Sequence, residues 1–348
     1  MRITRREILV TALASGCLMA DYGHPTAAAA ASDDPFVGVD PELIPRLRQI
    51  GAGELTSETL RHWRNAPPTV PPVTLPPPAP QLERKIIPGS RGNPPVTIFL
   101  VDPSPGTRDR SAYLYVHGGG YVMFSADRNP KLLQEIAIEN DCVVVAVDYR
   151  LAPEARFPAA LEDIYSALSW LRDNADTLGV DVSRIAVGGE SAGAGHVASL
   201  SIAARDRRGP HIAFQLLLYP MLDDRTGSSR PAAPNAGRFI WTPASNRFGW
   251  SSLLGMPAGS DAVPAECVPA RATNLAGLPP TYIGAGAIDL FAREDIEFAG
   301  RLMDAAVPTE LLIVPGAYHG FDLAVPDASI SRRFTASWKA ALKRGLAR

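Results

Sequence analysis

Between residues 82 and 346 the chain repeats one pattern: a short apolar run, then a longer segment with helical periodicity. The apolar runs fall at 82–87, 96–101, 112–116, 142–147, 184–188, 212–219, 281–285 and 310–314. A strand with one wet face alternates apolar and polar residues; a continuous apolar run is buried on both faces. Helical patterns at 129–140, 158–174, 293–306 and 330–346, and an Ala- and Ser-rich one at 192–205, separate most of the runs. Strands alternating with helices in this way predict an α/β fold: a mostly parallel central sheet with helices on both faces.

Two stretches depart from the rhythm. Residues 220–279 are rich in Pro, Gly, Ser and Trp and are too long for a plain connection. They read as an insertion over the C-terminal edge of the sheet, with Trp241, Phe248, Trp250, Leu253 and Leu254 as cap core or pocket wall. Residues 40–66 read as short amphipathic helices that join this cap, with helix starts at Pro41-Glu42 and at Thr56-Ser57-Glu58. Eight prolines among residues 66–80 then make an extended linker that no helix can cross.

The N-terminus has a different character. Arg2, Arg5 and Arg6 precede an apolar run at 8–20 and a small-residue stretch at 26–32, the order of a secretory signal. As a helix the run spans about 20 Å, short of the ~30 Å bilayer core. Thr4-Arg5-Arg6-Glu7-Ile8-Leu9 resembles a twin-arginine signal, and Ala14-Ser15-Gly16-Cys17 is a poorer match to a lipoprotein signal anchored at Cys17. The expected organisation is a signal at 1–31, cap helices and linker at 32–80, and a catalytic domain at 81–348 with the cap insertion at about 220–279. Export, periplasmic or extracellular, is the expected destination, with no stable membrane span once the signal is removed.

Net charge is −2 over 348 residues, and no basic patch carries interleaved aromatics, so nothing favours nucleic acid as a partner. The three cysteines, Cys17, Cys142 and Cys267, have neither metal-ligand spacing nor the density of a disulfide framework.

The motif with chemical content is Gly189-Glu190-Ser191-Ala192-Gly193, set between an apolar run and a helical segment. A serine on a sharp strand-to-helix turn has its hydroxyl lifted clear of the sheet, and its crowded neighbours must lack side chains. His117-Gly118-Gly119-Gly120 follows another predicted strand. Its bare backbone N–H groups, with that of Ala192, could hold the negative oxygen of a tetrahedral intermediate.

Serine needs a base to become a nucleophile. Of six histidines, His24 lies in the signal, His62 in the cap, His117 in the glycine loop and His211 at a strand start. His196 lies one turn beyond the serine, pointing away from the substrate side. His319 follows the last predicted strand, at the sheet edge where Ser191 also lies, and is the expected base. Asp289, after the strand at 281–285, is the expected acid that orients it. Glu294 and Asp295 are rivals, but they fall within the next helix, where a solvated face is expected.

Together these residues resemble the hormone-sensitive-lipase-like family of α/β-hydrolases, its bacterial esterase branch. His117 to Tyr121, Gly189 to Gly193, Asp148-Tyr149-Arg150-Leu151-Ala152-Pro153-Glu154 with Phe157-Pro158-Ala159, and Tyr318-His319-Gly320-Phe321 match family segments in the family's order. The resemblance implies an α/β-hydrolase fold with a helical cap and a Ser191–His319–Asp289 triad. It implies an oxyanion hole of Gly118, Gly119, Gly120 and Ala192, in which the last three carry the donors and Gly118 shapes the loop. Glu190 departs from the Asp or Thr usual before the nucleophile. The activity implied is a serine carboxylesterase working through an acyl-enzyme on small to medium acyl esters, without metal or organic cofactor. Lactonase, amidase or transacylase chemistry on the same triad, and a non-catalytic binding protein on the same fold, remain open alternatives. In the family the last strand and helix can pair between subunits, which is compatible with a homodimer.

Overall fold

The computed structural model describes residues 34–50, 53–65 and 72–347. The expected signal with Cys17, and residues 66–71 of the proline-rich stretch, lie outside the described residues. The chain divides between Val37 and Gly38, and all the described helices and strands belong to the unit from Gly38 to Arg348.

The elements in chain order are helices α1 (Ile44–Gln49) and α2 (Ser57–Asn65), strands β1 (Glu83–Ile87), β2 (Val96–Val101) and β3 (Arg110–Val116), helix α3 (Pro130–Asn140), strand β4 (Val143–Asp148), helices α4 (Ala159–Asp173) and α5 (Ala175–Leu178), strand β5 (Val180–Glu190), helix α6 (Ala192–Asp206), strand β6 (Phe214–Leu218), helix α7 (Pro243–Leu254), strand β7 (Thr281–Gly286), helix α8 (Ala292–Asp304), strand β8 (Thr309–Val314), and helices α9 (Phe321–Ala324) and α10 (Ser329–Leu346). Local chemistry sets several ends. Asn129 caps α3 by accepting from the Leu132 N–H, and Pro130 opens the helix where its missing N–H costs nothing. Gly255, with φ of 70°, closes α7 in the left-handed conformation that glycine adopts without strain.

The eight strands form one sheet in the order β1-β2-β4-β3-β5-β6-β7-β8. The pairs β1–β2 and β2–β4 are antiparallel and every other pair is parallel. Alternate residues of the buried strands face opposite ways. Leu114, Val145, Val187, Leu217 and Ile283 share a core with residues of α4, α6 and α8. On the other face, Tyr282 bonds to Ser337 of α10, and Lys339 of α10 pairs with Glu139 of α3.

The chain leaves β3 for β4 on one side and returns to β5 on the other. The C-terminal ends of β3 and β5 are therefore direct neighbours, with Val116 opposite Gly189. A sheet of this kind opens a crevice at such a reversal.

Residues 220–279, expected as an insertion without assigned elements, contain α7. Thr242 caps it, accepting from the Ser245 N–H, and Pro243 opens it. Leu55 and Leu60 of the N-terminal segment share a core cluster with Tyr121, Trp241, Trp250, Leu253 and Leu254. The Leu55 N–H donates to Ser245 Oγ at 3.0 Å. Cap and sheet belong to one compact unit.

Candidate active site

β5 ends at Glu190, α6 begins at Ala192, and Ser191 between them has φ 55° and ψ −123°. This is a rare conformation for a residue with a side chain, and it persists only where its surroundings impose it. Here the Ser191 N–H donates to Leu218 O at 2.9 Å, and its carbonyl accepts from Gly195 and Met221 at 3.0 and 3.1 Å. A Cβ on Gly189 or on Gly193 would collide with the carbonyl oxygen of Val116. The two glycines thus exist chiefly to let the turn pass the end of β3, more than to relieve each other.

Ser191 Oγ lies 2.9 Å from His319 Nε2, and His319 Nδ1 lies 2.8 Å from Asp289 Oδ2. An ionised carboxylate only accepts, so Nδ1 carries the proton and Nε2 is left to accept from the serine hydroxyl. Asp289 follows β7 and His319 follows β8, neighbouring parallel strands whose ends reach the same edge. Asp289 Oδ1 is held by the Phe291 N–H at 3.0 Å. Tyr219, Phe291 and Trp241 surround the imidazole, with centroids 5.0, 5.2 and 6.4 Å away. All three site residues are nearly buried, Asp289 at 1% exposure and Ser191 and His319 at 6% and 7%.

The glycine loop crosses the same edge. Gly119 and Gly120 have φ of 119° and 60°, and a Cβ on Gly120 would collide with the Trp241 ring. The N–H groups of Gly119, Gly120 and Ala192 have no partner among the described residues. Gly118, expected as a member of the same oxyanion hole, stands apart from them. Its N–H donates to Glu190 Oε1 at 3.0 Å, so it anchors the loop and is not a free donor. Tyr149, in the segment expected to position this loop, donates to His117 O at 2.8 Å and stacks on the His117 ring at 4.3 Å. Burial lowers the pKa of His117 to about 4 and that of His196 to about 3, so both are neutral at ordinary pH. His196 is packed between Tyr121 and Tyr149.

Glu190 lies beneath this arrangement. Besides Gly118 it accepts from the Tyr115 hydroxyl at 2.8 Å. Burial pushes its carboxyl up to about 7, against both hydrogen bonds, which pull the other way.

The expected solvated face at Glu294 and Asp295 is overturned: both are buried. Glu294 Oε1 accepts from the Leu222 and Asp223 N–H groups at 2.7 and 3.2 Å, and Oε2 accepts from Thr226. It ties the start of the cap to α8. Asp295 has no hydrogen-bond partner for either carboxyl oxygen among the described residues. Burial, then the neighbouring Glu294 and Asp289, raise its pKa well above the ordinary carboxyl range. Amphipathic periodicity marks both positions as polar and gives no sign of this burial. Helix α8 is roofed by the inserted cap, which no local pattern encodes.

Among the described residues no group of three or more His, Cys, Asp or Glu is placed to hold a metal ion, and no helix is long and apolar enough to cross a membrane.

A family profile described as alpha/beta hydrolase fold matches residues 113–323. Esterase LipI of Mycobacterium tuberculosis is 36% identical over 239 residues, covering 68% of this chain and 73% of LipI. Carboxylesterase NlhH of the same species is 36% identical over 252 residues, covering 70% of this chain and 76% of its own. The solved structure of a bacterial heroin esterase superposes with a TM-score of 0.81 at 33% identity, covering 90% of this chain and 99% of that one. The matched stretch takes in the serine turn, the glycine loop, Asp289 and His319, and on that footing this chain belongs to the α/β-hydrolase family, in its hormone-sensitive-lipase-like branch.

Proposed function

We propose that the protein is a serine carboxylesterase for small to medium acyl esters, acting through an acyl-enzyme on Ser191. The observation that carries this reading is the unbroken chain of contacts from Ser191 Oγ to His319 Nε2 at 2.9 Å and from His319 Nδ1 to Asp289 Oδ2 at 2.8 Å. The esterase relatives support it.

Ser191 Oγ attacks the ester carbonyl carbon as its proton passes to His319 Nε2. Asp289 stays ionised, fixes the imidazole tautomer and stabilises the imidazolium. The carbonyl oxygen, now negative, takes hydrogen bonds from Gly119, Gly120 and Ala192, each donor worth roughly 10²–10³ in rate. Collapse of the intermediate breaks the bond to the alcohol oxygen, which leaves with the proton from Nε2. Water then attacks the acyl carbon, giving a proton to His319, and the carboxylic acid departs as Ser191 recovers its own. Apart from the ester and one water, every group these steps use belongs to the chain itself, so the chemistry asks for no cofactor. The order of basic, apolar and small residues over 2–32 supports export of the chain.

The test is Ser191→Ala in purified, folded protein. Hydrolysis of p-nitrophenyl acetate and butyrate, and labelling by a fluorophosphonate probe, are expected to disappear. Retained turnover removes the assignment.

A further inference from the structure

We infer that Trp241 sets the upper size of the ester that Ser191 accepts; the inference rests on the esterase reading of the site. Trp241 stands just before the cap helix α7, between Ile240, whose φ is 63°, and the helix cap Thr242. The left-handed backbone at Ile240 turns the chain so that the indole points down onto the catalytic edge.

Two contacts place the ring. A Cβ on Gly120 would collide with the indole, so the ring lies directly on the glycine that carries one of the proposed oxyanion donors. Its centroid also lies 6.4 Å from that of His319, at an interplanar angle of 40°. The indole therefore spans from the oxyanion loop to the base. In the tetrahedral intermediate the negative oxygen must face Gly120 and the leaving oxygen must face His319 Nε2. A side chain lying over both borders the substituents that the reacting carbon carries, and a long or branched substituent there meets the indole face.

The wall is held and does not swing. Trp241 Nε1 donates to Asn246 Oδ1 at 3.1 Å, and Asn246 Nδ2 donates to Thr226 O at 2.8 Å. Gly249 of α7 backs the ring, its Cβ position 3.5 Å from Cζ2. Trp241 itself is only 7% exposed. An indole buried among these contacts cannot yield to a longer substrate without breaking them.

The experiment measures kcat/KM for p-nitrophenyl esters from acetate to decanoate, and for acetates of ethyl, phenyl and benzyl alcohols. Wild type, Trp241→Ala and Trp241→Phe are compared. The readout is the ratio of a bulky member to the smallest one within a single preparation, which does not depend on the fraction folded. Opening the wall is expected to raise this ratio tenfold or more in at least one series for Trp241→Ala, and less for Trp241→Phe. Each methylene newly buried is worth about fourfold. A merely structural indole would lower all substrates together and leave both ratios unchanged, and that result overturns the inference while leaving the esterase reading intact. A wild-type protein that hydrolyses no member of either series removes the esterase reading and the size limit with it.

Discussion

The Glu190 carboxylate accepts from the Gly118 N–H at 3.0 Å, joining the residue before the serine to the first glycine of the loop opposite. Gly189, Glu190 and Ser191 belong to the end of β5 and its turn, and Gly118 to the loop that leaves the neighbouring strand β3. Glu190 is thus the strut between the two halves of the site.

The strut should leave a signature in stability against pH. Its folded pKa of about 7 is raised above the ordinary 4.5, so between these values the folded chain binds the proton more tightly than the unfolded one. Its contribution is favourable at low pH and is lost as pH rises through 7. Glu190→Gln keeps an accepting oxygen and has no charge to acquire. Relative to wild type, its melting temperature should therefore improve between pH 5 and pH 8.5. An equal difference at both pH values would contradict the assigned shift.

Asp289 and Asp295 are separated by six positions and should respond very unequally to the same change. Asp289→Asn replaces the carboxylate facing His319 Nδ1 by a neutral amide that can also donate, which allows the wrong tautomer, a change that costs about 10⁴ in kcat where it has this effect. Asp295→Asn replaces a buried carboxyl without partners by a neutral group of the same shape, and kcat should stay within a few-fold of wild type. Steady-state kinetics of the two variants decides, and a reversed ranking would move the acid to Asp295.

Two glycine-to-alanine changes should likewise diverge. Gly120→Ala drives a methyl group into Trp241 from a backbone at φ 60°, and should abolish turnover and lower the melting temperature. Gly300, inside α8, has open space where its Cβ would stand. Gly300→Ala should stabilise by roughly 0.5–1 kcal/mol because alanine restricts the unfolded chain. Thermal melts with an activity assay check both.

Arg64 anchors α2 beside the glycine loop. It donates to Val122 O and to Ala152 O, both at 2.7 Å, and pairs with an exposed Glu154. Exposed ion pairs contribute little, whereas carbonyls left without a donor cost more. Arg64→Ala should therefore destabilise by about 1–3 kcal/mol and Glu154→Ala by under about 1 kcal/mol. Limited proteolysis should cut near α2 earlier in the first variant only.

The strands are legible as apolar runs because burial on both faces of the central ones leaves no alternation to misread. The elements that escape a sequence reading are those that tertiary contacts stabilise. Helix α7 lies in a stretch whose Pro, Gly and Trp content reads as loop, yet Thr242, Pro243 and Gly255 are its cap, first turn and stop, and together they mark it. That Ser191, Asp289 and His319 stand at one sheet edge is legible because each follows an apolar run expected to be a parallel strand. The commitment of the Gly118 N–H to Glu190 is not, since it depends on a side chain from another strand. Glu294 escapes for the same reason: the cap residues that bind it lie about 70 positions upstream.

The register that sets Val116 beside Gly189 has one more implication. The glycine loop and the serine turn leave from adjacent strands, so the points at which they leave the sheet are one strand repeat apart, about 4.8 Å. That length is a property of the peptide group and needs no side chain to keep it. The gauge that sets the two loops side by side is therefore cut into the backbone of the sheet.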